Sequence, residues 1–255
     1  MKVAGIDVGA KNAHIVIMDD EIILSKGEAP TGLGKAEAVE RLYEELLTQA
    51  GLKRKDVERV VATGSAGKQV TFAQSFIPDA AANVKGVVKL IPSARTIIDV
   101  GAEEGRAMRV SLEGKILDFT TNERCAAGVG IFLETVAQAL EISIEEMAQI
   151  SLNSTRLIPL NAQCAVFAES EVVSLIHART PKQDIAQAVH DIVARRVGSM
   201  ARIIGLEDDI VMVGGVAKNV GFLQSLKRDL GRDVKVPKDP HLVGAFGAAL
   251  AAAGQ

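Results

Sequence analysis

Two aspartates stand in the same setting: Ile6-Asp7-Val8-Gly9-Ala10 and Ile98-Asp99-Val100-Gly101-Ala102. A carboxylate at the end of an apolar run can hold Mg²⁺, usually through water, because magnesium gives up its hydration shell reluctantly. The glycine two residues on lets backbone N–H groups come close to a phosphate. Two such turns facing each other would grip a triphosphate from both sides. A third turn, Val213-Gly214-Gly215-Val216-Ala217-Lys218-Asn219, joins an apolar run to a helix start and suits an adenosine or ribose edge. One Asp-x-Gly alone reads as a plain turn; the duplication carries the nucleotide reading. The candidate contacts are Gly9, Ala10, Lys11 and Asn12 in the first turn and Gly101, Ala102 and Glu103 in the second. The third supplies Gly214, Gly215, Lys218 and Asn219, with Asp7 and Asp99 as the Mg²⁺ carboxylates. Lys218 also reads as an ordinary surface lysine, and Asn219 as a helix cap.

A fourth glycine segment, Thr63-Gly64-Ser65-Ala66-Gly67-Lys68-Gln69, imitates a phosphate-binding P-loop. Ala62 stands where that motif needs Gly, and Gln69 replaces its Mg²⁺-binding Ser/Thr, so it is rejected as a Walker A motif. The turn can still line the same site. Only two cysteines occur, Cys125 and Cys164. That count argues against a disulfide-stapled secreted fold and leaves two thiols for metal or redox work in a reducing compartment. They read equally as small core residues.

The elements that must carry these groups repeat as well. After the first pentapeptide come an apolar run over Ala13 to Met18, a turn at Asp19-Asp20 and Ile22-Ile23-Leu24. After the second come Ala107 to Leu112, a turn at Glu113-Gly114 and Ile116-Leu117. Both are β-hairpin signals, and two matched hairpins behind matched pentapeptides point to a duplicated domain. Helical spacing is predicted over Ala36 to Gly51, Gly130 to Leu140, Ala168 to His177, Asp184 to Ile204, Asn219 to Leu230 and Leu242 to Ala252. Strands are predicted over Val57 to Thr63 and Ile210 to Val213. Strands alternating with helices give an α/β architecture in two sheet-based halves. The expected division is residues 1–94 and 95–255, the second half carrying both cysteines and the helix at 242–255 returning to the first.

The 255 residues carry 29 basic and 32 acidic groups, net −3, which excludes nonspecific binding to nucleic acid or an anionic membrane. Aromatics at 3 % exclude a base-stacking platform. No targeting or spanning segment is visible, and a cytoplasmic protein is expected.

Together the duplicated Asp-x-Gly hairpins and the Gly214-Gly215 turn resemble the acetate and sugar kinase/Hsp70/actin superfamily. Within it, Asn122-Glu123-Arg124-Cys125-Ala126-Ala127-Gly128-Val129-Gly130, Cys164-Ala165-Val166-Phe167-Ala168-Glu169-Ser170-Glu171 and Gly214-Gly215-Val216-Ala217-Lys218-Asn219 resemble one branch. That branch comprises the ATP-dependent activators of 2-hydroxyacyl-CoA dehydratases and the related ATPase subunits of benzoyl-CoA reductase. The likeness covers nearly the whole chain. It implies duplicated actin/Hsp70-like (ribonuclease H-like) ATPase domains with a nucleotide cleft between them. It also implies ATP/ADP and Mg²⁺ as ligands and a dimer, either a homodimer or a heterodimer with a paralogous subunit. One [4Fe–4S] cluster would be shared across that dimer by Cys125 and Cys164, and low-potential electrons would pass from ferredoxin or flavodoxin to a CoA-thioester dehydratase or reductase. The count agrees: such a cluster takes four thiolates and one chain offers two. Zinc is the weaker metal, since His14, His177, His190 and His241 show no short spacing to either cysteine.

Glu169 and Glu171 lie two apart on an expected helix and so point to different faces. By analogy with the superfamily, Glu169 is expected to orient the attacking water; its other reading is a solvated charge. Gly128 and Gly130 join the expected nucleotide contacts through their motif. Two departures from the branch stand out. Its second turn usually reads Gly-Gly-Gln-Asp-x-Lys, but here it is Gly101-Ala102-Glu103-Glu104-Gly105-Arg106. Its Gly-Thr-Gly-Arg is here Gly128-Val129-Gly130-Ile131, losing a hydroxyl and a cation. Arg106 is the expected source of a displaced positive charge. The competing expectations are a small-molecule kinase and a non-redox ATP-dependent switch of the same superfamily.

Overall fold

The computed structural model describes residues 1–32, 34–122, 128–160 and 165–254, with the side chains of 165 and 166 left aside. The chain divides into two compact units, one of Met1–Ala94, Val110–Ile116 and Pro237–Gln255, the other of Arg95–Arg109 and Leu117–Val236.

In the first unit, β1 (Lys2–Val8), β2 (Asn12–Asp19) and β3 (Ile22–Pro30) form an antiparallel meander. The β2–β3 turn bends at Asp20, φ 49°, a left-handed conformation that a short acidic side chain tolerates. β4 (Arg59–Thr63) pairs in parallel with β1, and the short β5 (Ser75–Phe76) with β4, giving the order β3-β2-β1-β4-β5. Alternation along β1 decides what each face meets. Ala4, Ile6 and Val8 pack with Val39, Leu42, Tyr43, Leu46 and Leu47 of α1 (Lys35–Gln49). Val3 joins Val16, Met18 and Val61 under Ala245, Ala248 and Ala249 of α8 (Val243–Ala252). Gly5 lies on that second face, where a Cβ would fall 2.0 Å from the Ala245 carbonyl oxygen, so α8 rests directly on the strand backbone. α2 (Asp79–Leu90) packs beside α8 in the same way, Gly86 allowing the Val243 carbonyl to approach.

The second unit repeats the meander. β6 (Thr96–Val100), β7 (Gly105–Val110) and β8 (Ile116–Thr121) are followed much later by β9 (Ile210–Val213), parallel to β6, in the order β8-β7-β6-β9. Its core joins Ile98, Val100, Ala107 and Met212 to the apolar faces of α3 (Val129–Ala139), α4 (Ile144–Ser151), α5 (Ala165–His177), α6 (Lys182–Ile203) and α7 (Val220–Leu230).

Both hairpins stand where the repeated pattern predicts them. The helices differ in detail. α5 and α6 begin earlier than the apolar spacing indicates, and α7 begins at Val220, with Asn219 outside it as its cap. α2 and α4 have no counterpart among the sequence expectations. No helix among the described residues is long and apolar enough to cross a membrane.

Candidate functional site

Asp7 sits near the end of β1, level with Thr63 of β4. Strand alternation places it on the α8 face, with Val3 and Gly5. A Cβ on Gly244, in the first turn of α8, would lie 2.5 Å from Asp7 Oδ2 and 3.5 Å from Asn83 Oδ1. The carboxylate therefore meets the amino end of a helix, where the backbone dipole favours negative charge. On its other side is Gly64, φ +92°, whose Cβ would fall 2.4 Å from the Val8 carbonyl and 2.5 Å from Asp7 Oδ1. No other residue fits there. Asp79, opening α2, holds this turn by accepting from the Thr63 hydroxyl at 3.0 Å and from the Gly64 amide. Beyond Asp7, the Gly9 amide donates to the Asn12 carbonyl at 2.9 Å, closing the turn that contains Ala10 and Lys11. The Lys11 carbonyl in turn accepts from the Thr31 amide and hydroxyl.

In the second unit Asp99 occupies the equivalent point, level with Val213 of β9. Gly214, φ +90°, would place a Cβ 2.3 Å from the Val100 carbonyl and 2.8 Å from Asp99 Oδ1. The Gly101 amide donates to the Glu104 carbonyl at 2.8 Å, as Gly9 does to Asn12. Asp99 is 8 % exposed, and Arg106, its cross-strand neighbour on β7, donates to Oδ2 at 3.1 Å while also bonding Glu104. The Arg106 cation thus bridges two carboxylates of this turn and offsets one of their two charges.

Gly128 and Gly130 have a packing reason of their own. A Cβ on Gly128 would lie 2.1 Å from Glu103 Cα, and one on Gly130 2.9 Å from both Ala102 Cα and the Gly101 carbonyl. The amides of Gly130 and Ile131 donate to the carbonyls of Gly101 and Ala102, at 3.3 and 3.0 Å. The amino end of α3 is thereby fastened to the second turn. Gly215 contrasts with both: a Cβ there would meet nothing within 4 Å among the described residues, and the residue is exposed, so none of them requires a glycine. A backbone bare at such a turn leaves room for close approach by another group. The turn continues as a 3-10 segment, Gly215–Lys218, with Lys218 exposed, and ends on Asn219, whose Oδ1 accepts from the Phe222 amide at 2.9 Å. Asn219 caps α7, as the alternative reading of that residue has it.

Glu169 lies exposed on α5, which packs on α3 and α6, while Glu171 on the same helix is half-buried. Cys125 and Cys164 lie outside the described residues. Among the described residues no group of three or more His, Cys, Asp or Glu side chains is arranged to hold a metal ion.

Each unit therefore assembles its own carboxylate, glycine turn and backing glycine. Asp79 and Gly244 have no place in the sequence reading, and Gly64 enters it only within the turn rejected as a Walker A motif. For Gly64 a signal existed: it follows a strand and precedes Lys68 by four residues, the same offset as Gly214 and Lys218. The rejected P-loop imitation is the first unit's counterpart of the Gly214 turn.

Comparison with known proteins gives the family and the fold. The sequence profile of the BadF/BadG/BcrA/BcrD ATPase family matches residues 4–252. The activator of lactoyl-CoA dehydratase from Anaerotignum propionicum is 38 % identical over 98 % of this chain and 96 % of its own. The solved activator of the 2-hydroxyisocaproyl-CoA dehydratase from Clostridium difficile with bound ADPNP superposes with a TM-score of 0.94 at 36 % identity, over 99 % of this chain and 94 % of the other. A ROK family glucokinase from Streptomyces griseus, 16 % identical, superposes at 0.59 over the full length of both chains and shares the fold alone. The fold is the actin/Hsp70-like α/β ATPase fold.

Proposed function

The chain belongs to the BadF/BadG/BcrA/BcrD ATPase family, and from that premise we propose that it hydrolyses ATP to drive low-potential electrons into a CoA-thioester dehydratase or reductase. The observation that carries the ATP side is the duplicated carboxylate-glycine turn, in the same register in both units. Asp7 and Asp99 are the carboxylates that would hold Mg²⁺, through water, and the ion when bound would offset the charge of the phosphates. The Gly9 and Gly101 turns present backbone amides to the phosphates, and the bare backbone at Gly215, with Gly214 behind it, meets the adenosine. The relative with bound ADPNP makes an adenine nucleotide the natural ligand.

Phosphoryl transfer to water asks for positioning and charge neutralisation more than for covalent chemistry. Glu169 orients the water whose oxygen forms the new bond to the γ-phosphorus as the bond to the β,γ-bridging oxygen breaks. Arg106, held on Asp99 and Glu104 by the fold, keeps their charge from repelling the phosphates. The donor set for the redox side is half complete in one chain: two thiolates, Cys125 and Cys164, against the four a [4Fe–4S] cluster takes. One cluster per dimer follows, and when bound it supplies a one-electron carrier. The partner is a 2-hydroxyacyl-CoA dehydratase or a reductase of the benzoyl-CoA type, the donor ferredoxin or flavodoxin, and the place the cytoplasm.

Anaerobic purification tests this. The dimer should be brown, bleach with dithionite and contain about four irons. Cys125→Ser and Cys164→Ser should each lose that iron while ADP still binds. Full iron content in either variant overturns the cluster assignment, and a colourless protein that phosphorylates a small molecule would be a kinase instead.

A further inference from the structure

His190, on α6, is wholly enclosed, and its Nε2 lies 3.2 Å from Asn219 Nδ2. The orientation of that amide is already decided, because Asn219 Oδ1 accepts from the Phe222 amide. The side-chain NH₂ must therefore face the ring. An NH₂ group only donates, so Nε2 must accept, and the neutral imidazole carries its proton on Nδ1. That Nδ1 is buried without a hydrogen-bond partner. Burial also pushes the ring's pKa down to about 4, so it is uncharged at any working pH. The first turn of α7 is pressed close to it: a Cβ on Gly221 would lie 2.2 Å from Ser151 Oγ and 2.8 Å from His190 Cε1.

An apolar side chain would fill this space without orphaning an N–H, which is costly when buried. What the imidazole adds is the acceptor for Asn219. We propose that His190 is a positioning residue for the nucleotide: through Asn219 it fixes the end of the Gly214–Lys218 turn, and so the backbone that meets the adenosine. The step rests on the reading that Gly214 and Gly215 contact the nucleotide. Asn219 then serves α7 with its oxygen and is held in place by its nitrogen, so the end of the turn and the start of α7 are tied to α6.

ADP titrated calorimetrically into the intact anaerobic protein tests it. His190→Leu, which keeps the bulk and removes the acceptor, should raise the ADP Kd about tenfold, the size of one lost buried hydrogen bond. His190→Gln, whose amide oxygen can take over from Nε2, should stay within about twofold of wild type by the same measure. If His190→Leu binds ADP as wild type does and loses only thermal stability, the role is structural and the proposal falls. A wild-type protein that binds no ADP would instead sink the nucleotide reading beneath it. Should both variants fail to fold, ring ¹⁵N spectra of the wild-type protein decide. An Nδ1–H tautomer whose Nε2 resonance moves on adding ADP is expected; an Nε2–H tautomer, or no response to ADP, overturns the proposal.

Discussion

Asp7 and Asp99 occupy the same point of two sheets and keep different company. Each lies level with the last residue before a left-handed glycine, Gly64 or Gly214, and each is followed by a turn closed by one amide-to-carbonyl bond. The backbone device is the same in both units. The charge environment is not. Asp99 is the more buried and bonds a cation on the neighbouring strand, Arg106. Asp7 faces His14 across the strand pair and meets the amino end of α8 on its own face of the sheet. One unit sets a side-chain cation against its carboxylate, and the other brings the amino end of a helix up to it. A guanidinium can exchange one anion for another, whereas a helix terminus is fixed.

If the two carboxylates share one task, Asp7→Ala and Asp99→Ala should each lower ATP turnover by at least about a hundredfold. A steady-state phosphate-release assay checks this. Loss in one variant alone would mean that the duplicated backbone serves a single active carboxylate. Next in size is the backing glycine. Gly64→Ala and Gly214→Ala each force a methyl against a carbonyl at φ near +90°, and should cost about 3 kcal/mol or more in denaturant unfolding. Equal losses would confirm that the two turns are mechanically alike.

The second unit alone should carry a pH term from His190, beside which Asp191 raises and Arg228 lowers the ring's pKa. The unfolded chain takes up this proton below about 6.5 and the folded chain only near 4. Stability is therefore full above about 6.5 and falls as the pH drops toward 4, by on the order of 3 kcal/mol. Urea unfolding should show that slope in wild type and a shallower one in His190→Gln. The smallest expected effect is that of Arg106→Gln, about 1 kcal/mol of stability, since its ion pairs are only partly buried. Its more telling readout is weaker dependence of ATP binding on salt, because the cation is absent from one turn only.

Much of this was legible in the residues. The repeated Ile-Asp-Val-Gly-Ala places two strands, two carboxylates and two hairpins, because strand alternation and turn chemistry act over a few residues. α1 could be read from Val39, Leu42, Leu46 and Leu47 for the same local reason. α2 was not, since its contact with α8 is made by Ala82, Gly86 and other small residues whose role is to let backbones approach rather than to form an apolar stripe. α4 did carry a signal that was overlooked: Ser143, whose hydroxyl accepts from the Glu146 amide at 3.0 Å, is a serine-led helix start.

The candidate carboxylates, the turn glycines and the thiolate count are properties of residue type and short spacing, so the sequence alone determined them. The partners of those residues belong to the tertiary structure. Gly64 and Gly214 are equivalent because β4 and β9 lie in the same register beside β1 and β6, from positions far apart in the chain. Gly244 reaches Asp7 because the last helix of the chain packs on its first strand. Asn219 is both cap and clamp because α6 brings His190 against it. Hydrogen bonds and close approaches act over a few ångströms of space, whatever the separation in sequence, and only the folded chain sets those distances.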